Sequence, residues 1–64
     1  MKKRYLICAI NDKGIRVSLI EDAYSMGDCE QKVLNRDDIK CITYISLLGH
    51  YINGVYFKID SSSK

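Results

Sequence analysis

Apolar positions along this chain fall into four runs with a sheet-like period and one run with a helical period. Tyr5 to Ile10 is nearly continuous in β-forming residues, while Ile15 to Ile20 alternates Ile15, Val17 and Leu19 with Arg16 and Ser18. Between them, Asn11-Asp12-Lys13-Gly14 suits a type I turn ending in a left-handed glycine bulge. That turn sets Asn11 opposite Ile15, and therefore pairs Ala9 with Val17 and Ile7 with Leu19 on one face. Leu6 with Ile20, Cys8 with Ser18 and Ile10 with Arg16 then share the other face. The hairpin is apolar on both sides, more than a sheet covered on one side needs.

The helical run follows. Met26, Cys29, Val33 and Leu34 recur at i, i+3, i+7 and i+8, with Glu30, Gln31, Lys32 and Asn35 falling away from that stripe. Ser25-Met26-Gly27-Asp28 is a variant of the capping box, with Ser25 at the N-cap and Asp28 in the first turn, where the helix dipole favours an acid. Asn35 can close the helix, and Gly27 inside its first turn costs about 1 kcal/mol relative to Ala. Lys40 to Ile52 then reads as a long strand bent at Gly49. Asn53-Gly54 is the strongest local signal in the chain, because both residues tolerate the positive φ of a two-residue type I′ turn. It pairs Ile52 with Val55, Tyr51 with Tyr56, His50 with Phe57 and Gly49 with Lys58. A bulge at Leu48-Gly49 decides whether Ile42 and Tyr44, or Thr43, Ile45 and Leu47, point inward; the pattern leaves that open.

These elements predict an α+β fold in ββαββ order: an antiparallel four-stranded sheet, strands ordered 2-1-3-4, with one helix packed on one face. The two most apolar runs are then central. With 64 residues, positions 1–64 make a single small domain with a thin core, and Ser61-Ser62-Ser63-Lys64 reads as a disordered tail.

The net charge of +2 favours no partner class, but its distribution is uneven. Glu21 to Asp38 holds six acids and two bases, against eight bases and two acids elsewhere, which predicts a basic side opposite an acidic one. Cys8, Cys29 and Cys41 are odd in number and form no C-x-x-C pair. Without a secretory or membrane-spanning run near Met1-Lys2-Lys3-Arg4, they are expected to be reduced thiols in a cytosol.

No catalytic motif is present, and the chain is expected to be non-enzymatic, with no cofactor and no metal. Cys8, Cys29, Cys41 and His50 have zinc-binding chemistry but sit on three elements without knuckle spacing, so they are read as ordinary packing residues. His50 has no orienting partner nearby in sequence, Asp37-Asp38 reads as a solvated turn, and Gly14, Gly49 and Gly54 make no phosphate loop. What remains is the sheet face away from the helix. It carries Arg4, Leu6, Cys8, Ile10, Arg16, Ser18 and Ile20, with Tyr51, Tyr56 and Lys58 from the closing hairpin. Tyrosine and arginine among aliphatic residues compose protein-binding hot spots, and also nucleic-acid platforms. Arg4, Arg16, Tyr51, Tyr56 and Lys58 are the candidate partner-binding residues. An ordinary Tyr51–Tyr56 cross-strand pair is the plain alternative.

The layout, an opening hairpin over Tyr5–Ile20, a short Ser25-capped helix and a closing Ile52-Asn53-Gly54-Val55 hairpin, resembles that of small phage and mobile-element inhibitor proteins such as anti-CRISPR proteins. The resemblance implies a cytosolic binding protein that blocks a host protein or ribonucleoprotein complex by occupying its surface. Two further expectations stand beside it: a small nucleic-acid-binding regulator, and a module that homodimerises through the same face.

Overall fold

The structure, a computed structural model, describes residues 1–59; the tail expected at 61–64 lies outside them. Its elements are β1 (Lys3–Asn11), β2 (Arg16–Ala23), α1 (Met26–Leu34), β3 (Ile39–Ile52) and β4 (Val55–Lys58). The strands form one antiparallel sheet in the order β2-β1-β3-β4, and α1 lies on one face. The expected α+β class, four antiparallel strands and one helix, is therefore what the protein has.

Both hairpins take the register that their turns dictate. Asn11 receives two backbone bonds on its side-chain oxygen, from Lys13 and Ile15 at 2.9 Å each, and Gly14 adopts φ +81°. From there the pairing runs through Ala9–Val17 and Ile7–Leu19 to Arg4–Asp22 and Lys3–Ala23. Asn53 at φ +52° and Gly54 at φ +81° make the second turn and align Tyr51 with Tyr56 and Gly49 with Lys58.

The helix starts where Ser25 Oγ accepts the Asp28 N–H at 3.0 Å. Asp28 reaches back one residue further than a capping box requires, accepting the Tyr24 N–H at 3.1 Å. Asn35 closes the helix with right-handed backbone angles, so no left-handed cap is used. Only half of the expected apolar stripe is buried. Cys29 and Val33, one turn apart, sit on Tyr5, Ile7 and Ala9 of the central strand, whereas Met26 and Leu34 are 50% and 42% exposed. These two are the first and last residues of a nine-residue helix, and its ends project past so narrow a core. Ala23 and Ile39, on the segments entering and leaving the helix region, complete the core.

The long strand resolves the inward phase in a way that neither expected set describes. Its pairing with β1 slips three times, leaving Lys40, Thr43 and Leu48 as extra residues. Ile39, Ile42, Ile45 and Leu47 therefore face the helix side, at spacings of three, three and two. Each alternative supplies part of the inward set, Ile42 from the first and Ile45 and Leu47 from the second, because Thr43 restarts the alternation. The Thr43 hydroxyl donates to the Cys8 carbonyl at 3.0 Å across this bulge.

Candidate interaction surface

Leu6, Cys8, Ile10 and Arg4 of the central strand all point away from the helix, and no element among the described residues covers that side. Cross-strand pairing adds Arg16, Ser18, Ile20 and Asp22 on one flank, and Cys41, Tyr44, Ser46, Tyr51, Tyr56 and Lys58 on the other. The middle of the face is apolar. Leu6 and Ile10 are half-buried by their neighbours, while Ile20 and Tyr44 stand 61% and 57% exposed. A shallow groove of about 390 Å³ runs beside them, lined by Cys8, Ile10, Arg16, Ser18 and Thr43.

One end of the face holds a built cluster. Arg4 Nε donates to Asp22 Oδ1 at 3.0 Å, its Nη2 donates to the Tyr51 hydroxyl, and that hydroxyl donates to Asp22 Oδ2 at 3.1 Å. The guanidinium carbon lies 4.7 Å from the Tyr56 ring centre and 5.5 Å from that of Tyr51, and the two rings are 5.4 Å apart. The Arg4 hydrogen bond holds the Asp22 carboxyl below its ordinary range, and Asp22 in return raises Arg4. Loss of water around Tyr51, then its bond to Asp22, pushes its phenol up. Gly49 makes this packing possible. A Cβ there would stand 2.4 Å from the Phe57 carbonyl oxygen and 2.8 Å from the Tyr56 ring, so only glycine lets Tyr56 lie across β3 toward Arg4. The bend expected at Gly49 is thus a close approach between strands, beside the Leu48 bulge.

Of the five expected partner-binding residues, Arg4, Tyr51 and Tyr56 come together here and are already engaged with one another. Arg16 and Lys58 lie on the same face, at the far end of β2 and on the edge strand β4, and make no ion pair among the described residues. Four members of the surface were missed: Asp22, Cys41, Tyr44 and Ser46. Asp22 was legible, because the register that pairs Ala9 with Val17 also pairs Arg4 with Asp22. Tyr44 was not, since its outward direction depends on the Thr43 bulge.

Cys29 and Cys8 lie where the pattern placed them, Cys29 buried beneath α1 and Cys8 half-buried opposite Ser18 on the open face, whereas Cys41, read as a packing residue, is exposed. Among the described residues no three His, Cys, Asp or Glu side chains converge as metal ligands, and no helix is long and apolar enough to cross a membrane. Compared with protein-family models, curated proteins and solved structures, the chain matches none of them.

Proposed function

We propose that this is a non-catalytic binding protein whose open sheet face docks onto another protein. The observation that carries the reading is the exposure of Ile20 and Tyr44 on either flank of the central strand β1, on a face bordered by Arg16, Lys58 and the Arg4–Tyr51–Tyr56 cluster. Apolar residues at the centre with arginine and tyrosine around them are the composition of a protein-binding patch, and the cluster sets its side chains before contact. A nucleic-acid platform fits less well. Base stacking needs free aromatic rings, and two of the three on this face cover Arg4, whose charge Asp22 already balances. The likeness in layout to small phage and mobile-element inhibitors supplies the class of partner: a protein of a nucleic-acid-handling host complex, met in the host cytosol.

A photo-crosslinking side chain at Tyr44 tests this, with the same side chain at Glu30 on the helix as control. The expected outcome is an adduct to a protein of such a complex from Tyr44 alone. Equal crosslinking from both positions, or none, removes the reading. Titration with DNA and RNA tests the nucleic-acid regulator directly. With Arg16 and Lys58 as the phosphate-neutralising groups, such binding would weaken with salt at a logarithmic slope of about −2, and absence of binding at low salt eliminates it.

A further inference from the structure

The sheet has two very unequal edges. β4 spans only Val55–Lys58, and a short edge strand is a common protection against pairing with other chains. β2 runs for eight residues, Arg16–Ala23, with no proline, glycine or bulge in its pairing with β1. The Asn11 N–H bonds the Ile15 carbonyl at 2.9 Å, and an antiparallel ladder alternates from that point. Val17, Leu19, Glu21 and Ala23 therefore direct their backbone groups to β1, and Arg16, Ser18, Ile20 and Asp22 direct theirs outward. One of those outward groups has a partner from the helix: Lys32 Nζ donates to the Asp22 carbonyl at 3.0 Å. The N–H and C=O of Arg16, Ser18 and Ile20 find no backbone partner among the described residues.

The geometry points to a second copy of this chain as the partner of that edge, the two β2 strands pairing antiparallel about a two-fold axis at Leu19. This register makes the edge self-complementary. Ser18 faces Ile20 of the other copy, and Arg16 faces its Asp22, so opposite charges meet at both ends of the ladder. Shifting the axis to Ser18 would set Arg16 against Ile20 and forfeit that match. Outward N–H and C=O groups become paired rather than left to solvent, and the product is one eight-stranded sheet. Because both long edges are used up and only the short β4 edges remain, assembly stops at two copies instead of growing into a filament. Both helices lie on one side of this sheet and both open faces on the other, so the pairing is independent of the binding proposed above and leaves that face clear.

Sedimentation across a concentration series reads the pairing. Doubling of the mass with rising concentration is expected for the unmodified protein. Ser18→Pro, which removes an outward N–H and no bond of the β1–β2 ladder, should sediment as a folded monomer. Ile20→Lys, at an exposed position, should do the same and serves if the proline variant fails to fold. Leu19→Cys in a Cys8→Ser, Cys41→Ser background should form an interchain disulfide on mild oxidation, since the axis brings that residue against itself. A strict monomer without that disulfide overturns the inference, as does a dimer that both edge variants leave intact. Tyr44 crosslinking with Ser18 and Ile20 left intact reads the open face by itself, and so separates failure here from failure of the open-face reading.

Discussion

The opening hairpin with its helix and the closing hairpin use the same secondary structure and are held by different forces. In the first, Ile7, Ala9, Ala23, Cys29 and Val33 are all but fully removed from water, and burial of apolar area supplies the stability. The closing hairpin has almost no core of its own. Ile52, Val55 and Phe57, on the helix side of the sheet but past the part that α1 covers, are 41%, 55% and 49% exposed, and the buried residue of this hairpin is Gly49. What holds this region is its turn, its ladder and the Tyr51–Tyr56–Arg4–Asp22 packing on the opposite side. A domain this small covers one part of its sheet by hydrophobic burial and fastens the rest by stereochemistry and polar contacts.

Cutting a side chain out of the helix-covered part should do the most damage. Ile7→Ala should cost about 2–5 kcal/mol, since the site is closed on all sides. That approaches the whole stability expected of a small domain, so urea titration should find the variant largely unfolded at room temperature.

In the closing hairpin the corresponding injury is excess volume. Gly49→Ala should cost about 1–3 kcal/mol by driving a methyl group into the Phe57 carbonyl and the Tyr56 ring. The same change should release Tyr56 from Arg4, visible as loss of ring-current shifts on the Arg4 side chain, while Ile7 resonances stay in place. If both regions respond alike, the two are not held separately.

A gain is expected at Gly27. It has no positive φ, and a Cβ there meets only Ser25 Oγ at 3.9 Å, so Gly27→Ala should stabilise the chain by about 0.4–1 kcal/mol through reduced freedom of the unfolded state. Thermal unfolding checks it.

Acid reads the polar fastening. The Asp22 carboxyl titrates below its ordinary range in the folded protein, so its contribution is complete above the unfolded carboxylate pKa and is lost as pH falls through the lower, folded value. Asp38, lowered by its hydrogen bond from Arg36, acts with the same sign on the loop before β3. Asp22→Asn should flatten the fall of the urea midpoint below the ordinary carboxylate range and leave the part due to Asp38. An unchanged acid profile would mean that Arg4 and Asp22 do not couple in solution.

Thiol labelling gives the gentlest probe of the same contrast. A disulfide reagent should modify exposed Cys41 first and half-buried Cys8 more slowly. Cys29 should react only on unfolding, because burial, aided by Glu21 and Asp28, pushes its thiol up and keeps it protonated. Early labelling of Cys29 would show that the helix lifts from the sheet.

Local chemistry carries far in this chain. Asn11 to Gly14 and Asn53-Gly54 need backbone angles that few residues accept, and Ser25 supplies an oxygen to a helix start, so both registers and the helix N-terminus follow from a few adjacent residues. From the first of these turns even the Arg4–Asp22 pairing can be counted out. The phase of β3 cannot. Its three slips are set by how Ile39, Ile42 and Ile45 reach the core against β1, a pairing that joins residues some thirty-five positions apart, as Thr43 and Cys8 are. Which end residues of the helix find cover, and that Gly49 is needed to let Tyr56 cross to Arg4, were decided by the same long-range packing. A turn acts through the backbone angles of its own residues, whereas the bulges of β3, at Lys40, Thr43 and Leu48, use no glycine and are placed by whichever side chains the opposing strand can bury.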